Sequence, residues 1–156
     1  MDSLKATKVN ISDVEFAPDL GADEGWIEMK VQFLITAANA GSDDVVFGRT
    51  IFRPGSRHEA HRHPNAGEVQ YLLSGEGIVI DGDDEIPVRA GDVVYTRRGR
   101  WHGFINTSLS EDAEVIWLWA GAGSRAAAGY EARNDASTKR SPSTMQQEHE
   151  APPGSA

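Results

Sequence analysis

The chain has 156 residues, a 39 % hydrophobic share and a net charge of −9, which is one domain's length with enough apolar material for a core. It contains no cysteine, so disulfides, thiolate nucleophiles, iron–sulfur clusters and zinc–thiolate sites are excluded. The acidic balance repels phosphates, so DNA and RNA are not expected partners.

Residues 1–10 are polar and mixed in charge. They lack the apolar stretch of a secretion signal, and no run in the chain is apolar for long enough to span a bilayer. The expectation is a cytoplasmic protein without membrane contact. Residues 1–25 read as an irregular lead-in containing Pro18, Gly21 and Gly25. From Ile27 the pattern alternates: Ile27, Met29, Val31, Phe33 and Ile35 are apolar, and Glu28, Lys30, Gln32 and Thr36 are not. Period two predicts a strand with one buried face.

A turn over 39–44 leads to a second strand over 45–52, rich in β-branched and aromatic residues and ended by Pro54-Gly55. Short strands then follow at close spacing, over 68–73, 77–80, 85–89, 93–96, 102–106 and 114–119. Asp81-Gly82 is a hairpin signal, because glycine tolerates the positive φ at which the chain reverses. Many short strands with glycine-rich turns predict an all-β barrel or jelly roll. Residues 124–133 suit a short helix. From Asn134 the chain is polar and ends in Ala-Pro-Pro-Gly-Ser-Ala, a composition expected to stay disordered.

Four of the five histidines and one glutamate fall in a compact pattern. In His61-x-His63 the two residues share a face of an extended segment, so both imidazoles reach one ion. Pro64 biases His63 toward extended backbone, which keeps the pair aligned. Glu68 lies on the next strand, and His102 follows a later turn. Three histidines and a carboxylate suit Fe(II), Mn(II), Ni(II), Co(II) or Zn(II), with one or two positions left for water or substrate. An isolated His-x-His is more often a surface feature than a metal site.

The residues around it change that judgement. Gly55, His61, His63, Glu68 and Gly75 fit the spacing G-x5-H-x-H-x3,4-E-x6-G. Gly91, Gly99, His102 and Asn106 fit G-x5-P-x-G-x2-H-x3-N, with Arg97 in place of the proline. In both motifs, over about residues 45–120, the chain resembles the cupin superfamily. The resemblance implies that His61, His63, Glu68 and His102 hold one divalent metal, with Fe(II) favoured. It implies an all-β cupin jelly-roll barrel over 26–125, preceded by the lead-in 1–25 and followed by a short helix and tail over 126–156. Relatives commonly pair as homodimers, here through the 27–35 strand as a sheet edge.

The family includes dioxygenases, decarboxylases, isomerases, cyclases, lyases and ligand-binding domains of regulators. The resemblance implies first a metal-dependent dioxygenase acting on a small phenolic, enolic or diketone substrate, with Glu68 also a candidate base. A non-oxidative cyclase, isomerase or decarboxylase is the alternative, and a binding or sensing module a third. Strand parity puts Gln70 beside Glu68 and Phe104 beside His102, making both substrate-contact candidates. Arg49 is a third, if its face of the second strand turns inward. His58 is expected at the rim, His149 in solvent, and Trp117 and Trp119 in the core or at a dimer contact. Trp101 adjoins His102, and Arg97, Arg98 and Arg100 form a basic loop beside it.

Overall fold

The computed structural model describes residues 5–133; the tail expected from Asn134 onward, with His149, lies outside the described residues. Nine strands form one antiparallel sheet curled on itself. They are β1 (Trp26–Ile35), β2 (Val45–Arg62), β3 (Gly67–Ser74), β4 (Glu76–Asp81), β5 (Asp84–Arg89), β6 (Val93–Thr96), β7 (His102–Ile105), β8 (Ala113–Ala120) and β9 (Glu131–Ala132). Two short helices, α1 (Ala37–Ala40) and α2 (Arg125–Ala128), sit in the connections. The sheet runs β5-β4-β7-β2-β8-β3-β6, and β1 and β9 also pair with β2. No helix among the described residues is long and apolar enough to cross a membrane.

The strand expected to stop at Pro54-Gly55 does not stop there. β2 continues for 18 residues, bending where Gly55 takes φ 75°. Its first half pairs with β8, from Val45↔Ala120 to Phe52↔Ala113. Its second half pairs with β7, from Arg57↔Ile105 to His61↔His102. One strand therefore belongs to both walls of the barrel, and the bend carries it across.

Asn106 secures that bend. It is fully buried, and its Nδ2 donates to Phe52 O, Arg53 O and Glu111 O at 3.0, 3.1 and 2.8 Å. Its Oδ1 accepts from Ser108 N. Asn106→Ala removes the donors to these carbonyls, that of Phe52 buried, and is expected to cost about 2 kcal/mol, read as a lower midpoint in urea at unchanged slope. An unchanged midpoint would mean that water replaces the amide.

β1 departs from simple alternation. Register shifts fall between Ile27 and Met29 and between Phe33 and Ile35, and Glu28 takes φ 51°. The first offset adds three residues on the β2 side and the second adds one on the β1 side, and each odd offset exchanges the faces beyond it. Between the offsets the register is regular and the expected alternation holds, with Met29, Val31 and Phe33 packed against the core as Trp26 is; Gln32 and Leu34 are buried as well. The lead-in lies along this strand: Ala17 N donates to Val31 O, and Gln32 Nε2 donates to Ile11 O and Val14 O.

Inside the curl, β2, β3 and β8 contribute alternate residues. Val46, Thr50 and Phe52 face Leu72, Val115, Trp117 and Trp119. Across β3 the expected parity holds, with Glu68, Gln70 and Leu72 buried and Tyr71 and Leu73 exposed. After α2 the chain returns as β9, pairing with β2 at His61↔Ala132 and Arg62↔Glu131. No local pattern in the sequence announces that pairing.

Candidate metal centre

Cross-strand pairing assembles the donors. His61 stands opposite His102 on β2 and β7, His63 just follows β2, and Glu68 stands opposite Trp119 on β3 and β8. One ligand atom from each of His61, His63, Glu68 and His102 lies within 4.8 Å of the others, and all four residues are buried. The loop before His102 forms with Arg97 in the usual proline position: Arg100 N donates to Arg97 O, and Gly99 N donates to His63 O.

Each imidazole is oriented by the backbone. Nδ1 of His61 bonds Glu59 O at 2.8 Å, that of His63 bonds Gly129 O at 2.8 Å, and that of His102 bonds Arg100 O at 2.9 Å. A carbonyl only accepts, so each Nδ1 carries the proton and each Nε2 presents a lone pair. Nε2 of His61 and of His63 makes no hydrogen bond, although His63 Nε2 lies 3.2 Å from Glu68 Oε2. His102 Nε2 lies 3.0 Å from that oxygen. Three lone pairs and a carboxylate converging in a buried space repel one another unless a cation lies among them. The donor set therefore fits a divalent metal.

At His61 the electrostatics agree. Burial pushes the pKa of His61 well below its usual value, reinforced by neighbouring His58, so its ring is neutral and ready to ligate. Burial alone would raise the Glu68 carboxyl, yet His102 and His63 beside it hold it well below the usual range. Burial would likewise lower His102, but Glu68 raises it. Glu68 is also held from outside: Gln70 Nε2 donates to Oε1 at 2.6 Å, and Trp119 Nε1 donates to Oε2 at 2.8 Å. Trp119→Phe removes one of these donors and is expected to weaken metal affinity roughly 10-fold, measured by chelator competition. Unchanged affinity would reduce Trp119 to packing.

Beside the donors lies a pocket, partly open to solvent, with a cavity volume of about 30 Å³. Its walls are Trp26, Met29, Phe52, Phe104, Trp117 and Trp119, with Thr50, His58, Glu68, Gln70 and Val115. Gln70 and Phe104 thus stand where strand parity puts them. Arg49 does not: its strand neighbours Thr50 and Phe52 face the pocket, and Arg49 faces the other way. Its Nε donates to Glu114 Oε1 and its Nη1 to Gln32 Oε1, so an internal ion pair replaces the expected substrate contact. Trp117 and Trp119 are core residues and pocket walls together. Trp101 packs against Arg62 instead. Arg97, Arg98 and Arg100 are exposed, and Arg100 pairs with Asp81.

His58, expected at the rim, is buried and stacks on His61 with ring centroids 3.7 Å apart. A register shift between His58 and His61 brings both to the inner face. Trp26 covers its other side at 4.0 Å, and its Nε2 lies 3.0 Å from Tyr130 Oη. Tyr130 O–H donates to Glu24 O, so it accepts from His58 Nε2–H, leaving the lone pair of His58 on Nδ1. Burial lowers the His58 pKa and raises that of Tyr130. Sequence reasoning missed Trp26 and Tyr130 as neighbours of the site. Trp26 carries a weak signal as the aromatic opening β1, and Tyr130 carries none.

Residues 48–119 match the family model described as a cupin domain. An oxalate-binding protein of Thermotoga maritima is 32 % identical over 84 residues, covering 54 % of this chain and 69 % of that one. The chain is a cupin. Among solved structures, this cupin resembles a predicted oxalate decarboxylase from Thermotoga maritima, with TM-score 0.64 and 26 % identity over 73 % of this chain and 98 % of that one. It also resembles the polyketide cyclase RemF from Streptomyces resistomycificus, with TM-score 0.67 and 18 % identity over 92 % and 94 % of the two chains. At that identity the second likeness speaks for the fold alone.

Proposed function

We propose that this cupin is a metal-dependent enzyme acting on a small ring-bearing molecule with a phenolic, enolic or diketone oxygen, and that it is a dioxygenase. The observation that carries the reading is an aromatic-walled pocket that reaches Glu68, one of four buried residues whose ligand atoms lie within 4.8 Å of one another. Fe(II) is the metal this reading favours, and a divalent metal there supplies a Lewis-acid site for the substrate oxygen.

The chain's own residues do the rest. Trp26, Phe52, Phe104 and Trp117 hold a ring by apolar and edge or face contact and keep water out. Glu68 serves as a ligand rather than a base, because a carboxylate held below its usual range accepts a proton poorly. Oxalate, named for the Thermotoga maritima relatives, is a dianion, and among the described residues no arginine or lysine lines this pocket. The walls therefore support a ring over oxalate.

A non-oxidative cyclase, isomerase or decarboxylase is the second reading. The same walls exclude water, and three imidazoles with one carboxylate hold Zn(II), Mn(II), Ni(II) or Co(II) as well as Fe(II). Metal identification on anaerobically purified protein, followed by oxygen uptake with a panel of phenols and diketones, separates the two. Iron with substrate-linked oxygen consumption supports the dioxygenase. Zinc with substrate conversion and no oxygen uptake replaces it with the second reading. A homodimer belongs to the proposal and is tested by molar mass in solution.

A further inference from the structure

The unpaired oxygen of Gln70 bears on which ring-bearing molecule enters. Gln70 stands two residues after Glu68 on β3 and is 9 % exposed. Its Nε2 donates to Glu68 Oε1 at 2.6 Å. The opposite amide orientation would set oxygen against carboxylate oxygen at that distance, so the orientation is fixed. Gln70 Oε1 then faces away from Glu68, buried and without a hydrogen-bond partner among the described residues.

The walls have little left to offer it. Trp117 Nε1 donates to Thr50 Oγ1, Trp119 Nε1 to Glu68 Oε2, and His58 Nε2 is spent on Tyr130. A buried acceptor left unpaired is costly, and a site built around one rejects analogues that lack the matching donor. We infer that Gln70 sets specificity: the ligand carries an O–H or N–H donor, besides the oxygen taken at the metal centre, and that donor bonds Gln70 Oε1. The class is a ring diol, hydroxylated ketone or enol. Aryl ethers and the oxalate dianion bring no such donor. This inference rests on the pocket being the substrate site, as proposed above.

The test is binding to the Zn(II)-loaded protein without oxygen, so that oxygen-dependent turnover plays no part. Catechol and resorcinol are each compared with their own monomethyl ether, by quenching of the pocket tryptophans and by calorimetry. The expected result is that the better diol binds roughly 10-fold or more tightly than its ether. In Gln70→Leu, with zinc content retained, that ratio falls to about 1; comparing two ligands within one protein cancels any general change in affinity. Gln70→Met serves if the leucine variant does not fold. Simple chelation of the metal by catechol would leave the ratio intact in the variant, and that outcome overturns the inference. Equal binding of diol and ether to the wild type also overturns it, as does no binding of any of the four. A wild-type protein that takes up no zinc before any phenol is added sinks the metal reading as well, and so marks that failure separately.

Discussion

His61→Ala combined with His63→Ala is expected to take bound metal from about one ion per chain to none, read by elemental analysis of purified protein. Both rings are locked with Nε2 inward by Glu59 O and Gly129 O, and neither Nε2 has a hydrogen-bond partner among the described residues. Their removal leaves Glu68 and His102, too few donors to compete with a chelator. Metal binding to the folded state adds stability: about 2.7 kcal/mol when free metal is 100 times Kd, which is roughly 10 °C in Tm for a domain of this length. Wild-type Tm should therefore rise with added metal, and the double variant's should not move. A double variant that retains a full equivalent of metal would place the ion elsewhere.

Gly48→Ala is expected to destabilise the fold by overpacking the β2–β8 wall. A Cβ at Gly48 would lie 2.1 Å from Trp117 Cζ2 and 2.4 Å from its Cη2. The indole cannot swing aside. Its Nε1 bonds Thr50 Oγ1 at 2.9 Å, Phe33 meets its ring edge-on at 5.5 Å, and Trp119 lies 4.9 Å away. Gly48 and Trp117 are partners across β2 and β8, so the clash sits in the ladder between the two strands that build the pocket wall. Overpacking of this kind costs about 3 kcal/mol, or roughly 10 °C in Tm. Because Trp119 adjoins the same wall, metal affinity should fall with it. A variant with wild-type Tm would show that the β2–β8 ladder can open enough to admit a methyl group.

What the sequence determined is local. The donor set was legible because His61-x-His63, Glu68 and His102 sit at fixed offsets from glycines that must take positive φ, as Gly55, Gly75, Gly91 and Gly99 do. Strand positions were legible from period two and turn chemistry, and the parity of β3 correctly placed Gln70 beside Glu68. The tertiary structure decided whatever depends on register between strands far apart in the chain. A bulge between His58 and His61 turned a rim histidine into one stacked on a ligand, and the register offset between Ile27 and Met29 accompanies the burial of Trp26 in the core. The pairing of β2 with β8 sent Arg49 outward to Glu114, and β9 brought Tyr130 back to His58. A one-residue slip reverses every side chain beyond it, and no window of sequence records where the partner strand will impose one.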